Sequence, residues 1–320
     1  MSFGKRAVLL FAGQGAQAVG MGRDLVESFA PARELFARAD AQLGQPLSRT
    51  MFEGPAEELT RTSVCQPALY VHGLACLELL RREVPDLEIA GVAGLSLGEF
   101  TAHAAAGTYD FATGLDLVAR RGAFMDEAAA ETRGAMAAFI GGDEEEVRRL
   151  ARDCDIDVAN LNAPGQIVVS GSEEGVAKAV AIAPEYGVRI AQPLDVAGAY
   201  HSRLMRSAQE RLAEVLEGVL LRAPSVPVVC NVEAREVVGP AEIRRTLVEQ
   251  VTGSVRWSEC VQHFLAKGET LFIELGPGRV LAGLMRRIDR GAKALSFADR
   301  DGLEKVVAEL HASAETETVG

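Results

Sequence analysis

Ser96 stands at the centre of Gly94-Leu-Ser-Leu-Gly98, a G-x-S-x-G pattern whose small flanking residues let the chain turn tightly enough to hold a hydroxyl above the end of a sheet. The apolar run 89–93 reads as the strand entering that turn. The Ala-rich stretch 97–106, with Glu99 in its first turn, reads as the helix leaving it. Such a helix aims its positive end, and the free N–H of Leu97, at an oxyanion developing beside the serine. The same five residues also fit a plain strand-to-helix turn, so the strand before and the helix after carry the reading of Ser96 as a nucleophile. A serine nucleophile needs a base. His72 and His103 fall within helical runs, His263 precedes Phe264-Leu265 in another, and His311 is near the end of the chain. His201, in Gly198-Ala-Tyr-His-Ser202, is the histidine at a glycine-flanked junction, where it could face Ser96 across a cleft.

The elements that must position these residues follow from periodicity and turn residues. The run 7–12 is a first buried strand, leading into the glycine loop Phe11-Ala-Gly-Gln-Gly-Ala-Gln17. That loop permits close approach to a ligand or another loop, or is simply a tight turn. No Gly-Lys-Ser/Thr follows it and the dinucleotide G-x-G-x-x-G spacing is absent. Helices are expected over 24–43, over 68–82 after Gln66-Pro67, and over 111–128, which contains Arg120-Arg121-Gly122. Either arginine of that pair could simply be solvated. From residue 134 the pattern becomes strand 135–140, helix 143–152, two short strands within 157–171, helix 172–186 and strand 188–196. This β-α-β-β-α-β order is the ferredoxin-like arrangement. Beyond His201 come a helix at 203–219, a strand at 226–232, helices at 241–251 and 257–266, and a strand at 270–275. The expected organisation is a large subdomain from 1–132 and 199–311, an inserted subdomain at 133–198, and a frayed tail at 312–320.

Composition narrows the class. The chain has 320 residues, 48% of them hydrophobic and only 5% aromatic, a balance typical of α/β architecture. A net charge of -12 argues against nucleic acid as a partner, because phosphate binding needs a dense positive field. The five cysteines have irregular spacing and no C-x-x-C pair, so neither a disulfide framework nor a metal site is expected, and a cytoplasmic location fits. No apolar run approaches a membrane span, so no membrane association is expected. No coiled-coil pattern appears, and a monomer is expected.

Five blocks, in this order, resemble the malonyl-CoA:acyl carrier protein transacylases from about Val8 to Phe297. They are Phe11-Ala-Gly-Gln-Gly-Ala-Gln17, Gly94-Leu-Ser-Leu-Gly-Glu99, Arg121-Gly122 with Phe124-Met125, Gly198-Ala-Tyr-His-Ser202, and Leu247-Val-Glu-Gln250 with Val255-Arg-Trp257. The resemblance implies an α/β-hydrolase-like large subdomain with a mainly parallel sheet and the inserted ferredoxin-like subdomain. It also implies an acyltransferase that carries malonyl from malonyl-CoA to acyl carrier protein on a seryl ester. Ser96 would be the nucleophile and His201 the general base and acid. The oxyanion would meet the backbone N–H groups of Gln14 and Leu97. Arg121 would pair with the free carboxylate of malonate, with Arg120 left outside the site, because a guanidinium offers two parallel donors. A main-chain carbonyl near Gln250, a site-lining residue, would orient His201, with Asp195 as the fallback. No metal or bound cofactor is implied; coenzyme A and phosphopantetheine arrive as carriers of the substrates.

Three positions depart from the pattern. Leu95 stands where many members have histidine, Ala12 replaces a common proline, and Gly253-Ser254 replaces a frequent Asn-Pro. Activity is expected to survive the first, and the loop after Gln250 is expected to be looser. Asn160 and Asn162 match an asparagine-rich strand segment or stabilise a turn. Arg203, Arg206, Lys178 and Arg189 are candidates for a basic rim facing an acidic carrier protein, or are ordinary solvated charges. The pathway is expected to be fatty acid synthesis. A free-standing acyltransferase of a polyketide synthase is the alternative, and a serine hydrolase of acyl thioesters a more distant one.

Overall fold

The computed structural model describes residues 6–317, with side chains through residue 312. Strand β1 (Arg6–Phe11) is buried on both faces, as a strand inside a parallel sheet must be. Its alternation separates two cores. Ala7, Leu9 and Phe11 join the cluster beneath the long helices Thr62–Glu83 and Phe111–Glu131. Val8 and Leu10 join the cluster formed with the helices Trp257–Ala266 and Val280–Ile288.

The remaining strands are β2 (Glu88–Gly94), β3 (Gly134–Ile140), β4 (Asp157–Ala163), β5 (Gln166–Ser172), β6 (Ile190–Pro193), β7 (Val228–Val229), β8 (Glu236–Val237), β9 (Leu271–Leu275) and β10 (Lys293–Phe297). Six of them form one sheet in the order β10-β9-β1-β2-β7-β8. Every pairing in it is parallel except β7 with β8. The other four form an antiparallel sheet in the order β4-β5-β3-β6, backed by the helices Glu144–Asp153 and Glu173–Ile182 around their own apolar cluster. The protein is therefore a mixed α/β fold with a mainly parallel sheet and a smaller antiparallel one.

Several boundaries differ from the sequence expectation, for identifiable reasons. The helix expected from residue 68 begins at Thr62 and carries Pro67 inside it. Its first turn is capped from a distance, since the Asp126 carboxylate accepts the N–H groups of Thr62 and Ser63 at 3.2 and 2.9 Å. By length and composition this helix could cross a membrane, which the run-based reading did not expect. Yet 83% of its apolar window is buried inside the protein. The helix expected over 24–43 breaks at Phe29, which is extended between Arg23–Ser28 and Ala30–Leu43. The strand expected over 226–232 shrinks to β7, and that over 188–196 to β6. The final helix runs Arg300–Glu317, through most of the segment expected to fray, while residues 318–320 lie outside the described residues.

Candidate active site

β2 delivers the chain to the elbow, and Gly94 and Gly98 allow the turn. A Cβ on Gly94 would lie 1.9 Å from the carbonyl carbon of Gly98, and one on Gly98 would lie 2.1 Å from the Phe11 carbonyl oxygen. Ser96 itself is held at φ 53°, ψ -103°, a conformation that costs an ordinary residue about 1–3 kcal/mol and lifts the hydroxyl clear of the helix. His201 also has positive φ, 56°. It lies in a turn beyond β6 rather than at a strand end. The two side chains meet at 2.7 Å between Ser96 Oγ and His201 Nε2.

The other imidazole nitrogen, Nδ1, donates to the Gln250 carbonyl at 2.8 Å. Gln250 caps the helix Pro240–Glu249, whose last carbonyls have no partner within the helix. One of them is thereby free for the ring. This bond places the proton on Nδ1 and leaves the Nε2 lone pair facing the serine hydroxyl. Asp195 makes no hydrogen bond to the ring. Burial, then the nearby Arg121 charge, pushes the His201 pKa down to about 4. The imidazole is thus neutral and able to accept a proton at pH 7.

Arg121 comes from the buried face of the helix Phe111–Glu131 and is 1% exposed. Its Nη2 donates to Ser96 Oγ at 3.1 Å and to Gln250 Oε1 at 2.9 Å, and its guanidinium carbon lies 5.2 Å from the centre of the Phe100 ring. Nε and Nη1 have no acceptor among the described residues. Burial lowers the Arg121 pKa only to about 10, so the group stays cationic. Buried guanidinium donors without partners, beside a serine hydroxyl, suit the binding of an anionic group.

The N–H groups of Leu97 and Gln14 make no hydrogen bond among the described residues. The glycine loop carrying Gln14 adjoins the elbow, since Leu95 N–H donates to Phe11 O at 3.2 Å. The Gln14 side chain reaches Thr62 Oγ1 at 3.5 Å, and Thr62 in turn bonds Tyr200 at 2.7 Å. This arrangement suits nucleophilic acyl transfer: a hydroxyl, a neutral base, two free donors for an oxyanion and a cation for a distal anion.

Two residues that the sequence reading did not place in the site hold it together. Asn231, just past β7, accepts from Ser96 N–H at 2.7 Å and donates through Nδ2 to Gly94 O at 2.9 Å. Its own N–H donates to Glu99 Oε2 at 3.0 Å. Gln250 Nε2 donates to Ser96 O at 2.9 Å and to Glu99 Oε2 at 2.6 Å. Asn231 follows a strand neighbouring β2 in a parallel sheet, and the ends of such strands are where sites gather. That was the available signal.

Other singled-out residues lie apart. Arg120 points outward and pairs with Asp116 at 2.8 Å. Arg203 is paired with Asp155 and Asp157, and Lys178 donates to the Asp153 carbonyl. Leu95 packs half-buried against the cluster containing Val8 and Trp257. Asn160 and Asn162 lie within β4, not in a turn. The loop after Gln250 is pinned to β4, since Ser254 Oγ donates to Val158 O at 2.5 Å and Val255 N–H to Ala159 O at 2.8 Å. Among the described residues no cluster of three or more His, Cys, Asp or Glu could hold a metal ion, and the five cysteines are free and buried.

Residues 8–302 match the model of the acyl transferase domain family. The chain is 41% identical over 312 residues to a malonyl CoA-acyl carrier protein transacylase of Bacillus subtilis, covering 95% of this chain and 97% of the relative. Among solved structures, it resembles the malonyl CoA-acyl carrier protein transacylase of Coxiella burnetii with a TM-score of 0.93 at 32% identity, covering 97% and 99% of the two chains. It also resembles a malonyl-transacylase solved with its type II polyketide acyl-carrier protein, with a TM-score of 0.91 at 36% identity over 95% and 99%.

Proposed function

The chain belongs to the acyl transferase domain family and is 41% identical to a malonyl CoA-acyl carrier protein transacylase, and from that premise we propose how it works. It moves malonyl from malonyl-CoA to the phosphopantetheine thiol of an acyl carrier protein, through an ester on Ser96, feeding fatty acid synthesis in the cytoplasm. Ser96 Oγ attacks the thioester carbonyl as its proton passes to His201 Nε2. The tetrahedral oxyanion rests on the Leu97 and Gln14 N–H groups. Collapse of the intermediate breaks the C–S bond, and His201 returns the proton to the departing coenzyme A thiol. The carrier thiol then reverses the same steps, giving ping-pong order. The Gln250 carbonyl keeps the imidazole in the required tautomer throughout.

Arg121 carries the substrate reading. Its guanidinium lies 3.1 Å from the nucleophile with Nε and Nη1 unpartnered, which suits an acyl group that carries a second carboxylate. An acetyl group would leave those donors empty in a buried site, at a cost of a few kcal/mol. A polyketide carrier protein is the second reading for the acceptor, supported by the likeness to the transacylase solved with such a carrier. The chemistry is the same for both. Hydrolysis is disfavoured because Ser96 and His201 are only 8% and 5% exposed.

The test is intact-protein mass spectrometry after mixing with malonyl-CoA, acetyl-CoA and methylmalonyl-CoA in turn, followed by addition of carrier proteins of the two pathways. A malonyl adduct on the wild type, absent in Ser96→Ala and passed to carrier protein, is the expected result. Equal loading by acetyl-CoA removes the role of Arg121, and faster loss to water than to carrier removes the transferase reading.

A further inference from the structure

The steps above give Glu99 no part, yet it is fully buried one turn beyond the nucleophile. Its Oε2 accepts from the Asn231 N–H and from Gln250 Nε2, while Oε1 has no partner. The same Gln250 amide faces Arg121 with its oxygen. One primary amide therefore bridges a buried acid and a buried base that do not touch. The other ionisable groups around Glu99 are Tyr109, Cys230 just past β7, and Cys260 on the helix Trp257–Ala266. All three are neutral: burial pushes Cys230 up to about 11 and the other two well above their usual values. His201 is neutral as well, and faces Arg121. Among the described residues, Arg121 is thus the only charge with which Glu99 is balanced.

A substrate carboxylate on Arg121 would bring a second negative charge into this buried site. An unbalanced buried charge is costly, and the site relieves it most readily by taking up a proton. We propose that Glu99 is a positioning residue that changes protonation with the acyl group: ionised, it holds Gln250 and Arg121 in the empty enzyme, and it is protonated on Oε1 from solvent when a dicarboxylic acyl group occupies Arg121. This rests on the reading of Arg121 as the carboxylate receptor. Burial already raises the Glu99 pKa to about 7, against the hydrogen bonds from Gln250 and Asn231 and the charge of Arg121. A bound carboxylate raises it further. The ester exchange is itself proton-neutral, because the Ser96 proton leaves on the coenzyme A thiol, so the proton on Glu99 is an additional one.

The experiment mixes weakly buffered enzyme with malonyl-CoA at about pH 7.5, where a free thiol is still mostly protonated. A pH indicator counts protons and mass spectrometry counts esters. Roughly half a proton or more per malonyl ester is expected for the wild type. Glu99→Gln, which keeps an acceptor for Gln250 and Asn231, is expected to form the ester with the uptake lost. Its loading equilibrium should also lose the pH dependence expected of the wild type, in which the ester is favoured as pH falls toward 7. Ester formation by the wild type without proton uptake overturns the proposal, and so does equal uptake in Glu99→Gln. The wild-type count stands even if the variant does not fold. If no ester forms on Ser96, the transferase reading falls and takes this one with it. If an ester forms but Arg121→Ala loads malonyl and acetyl as the wild type does, the transferase reading stands, while the reading of Arg121 and the proposal for Glu99 that rests on it both fall.

Discussion

At the attacking end of the site, the side chains of Ser96 and His201 have their hydrogen bonds made before any substrate arrives, whereas at the arginine end Arg121 Nε, Arg121 Nη1 and Glu99 Oε1 are buried without partners. The two ends lie on one network, joined by the Gln250 amide, so the contrast is not one of separate environments. Bond making gains from groups already fixed, because no reorganisation is then needed in the transition state. Discrimination gains from buried donors kept unsatisfied, because a ligand lacking the matching group leaves them so. On the function proposed above, generic acyl chemistry belongs to the finished end and reading of the acyl group to the unfinished end.

If that division holds, the largest loss comes from the finished end and is blind to substrate. Ser96→Ala and His201→Ala are each expected to lower transfer by about 10⁴-fold or more with any acyl-CoA, and the double variant by little beyond that, since the two act as a unit. Steady-state transfer to carrier protein measures this; additive losses would mean that the pair does not act together. Arg121→Ala is expected to lower malonyl transfer by about 10²- to 10³-fold and acetyl transfer far less, from the loss of a charge-assisted contact in a buried site. Competition between malonyl-CoA and acetyl-CoA reads the ratio directly. A uniform fall for both would place Arg121 with the attacking end and erase the contrast.

Asn231→Ala probes the seam between the ends. It removes bonds to the Ser96 N–H and Gly94 O, and a buried donor left alone costs about 1–3 kcal/mol. A fall in kcat of about tenfold, with KM for malonyl-CoA nearly unchanged, is expected. A change confined to KM would mean that Asn231 serves the arginine end instead.

These residues were not equally visible in the sequence. Ser96 announces itself because the glycines two positions to either side are needed for one local turn, and His201 because it sits at a glycine-flanked junction. The ferredoxin-like insertion was legible because its strands and helices alternate with clear periods. Arg121 and the Gln250 carbonyl came through family resemblance, since an arginine in a helix carries no local sign of which way it faces. Asn231 and Glu99 were missed as site members because their contacts join residues 132 to 151 positions apart, and β7, which Asn231 follows, is a strand of only two residues. Nor could local sequence place the start of the helix Thr62–Glu83, whose cap is Asp126 from another helix.

The smallest expected effect is also the sharpest control on the contrast. Arg120 and Arg121 are adjacent on one helix, about 100° apart around its axis, so one faces the core while the other faces solvent. Arg120 bonds Asp116 one turn earlier, and both side chains are about half exposed. An exposed i,i+4 pair contributes only about 0.3–0.5 kcal/mol to stability. Arg120→Ala is therefore expected to change transfer by less than about twofold and to leave the malonyl-to-acetyl ratio where it was, at a small cost in stability. If that ratio falls, charge near the cleft in general is selecting the substrate. If it holds while Arg121→Ala collapses it, selection belongs to two unpartnered nitrogens at a fixed place, and burial is what gives them their effect.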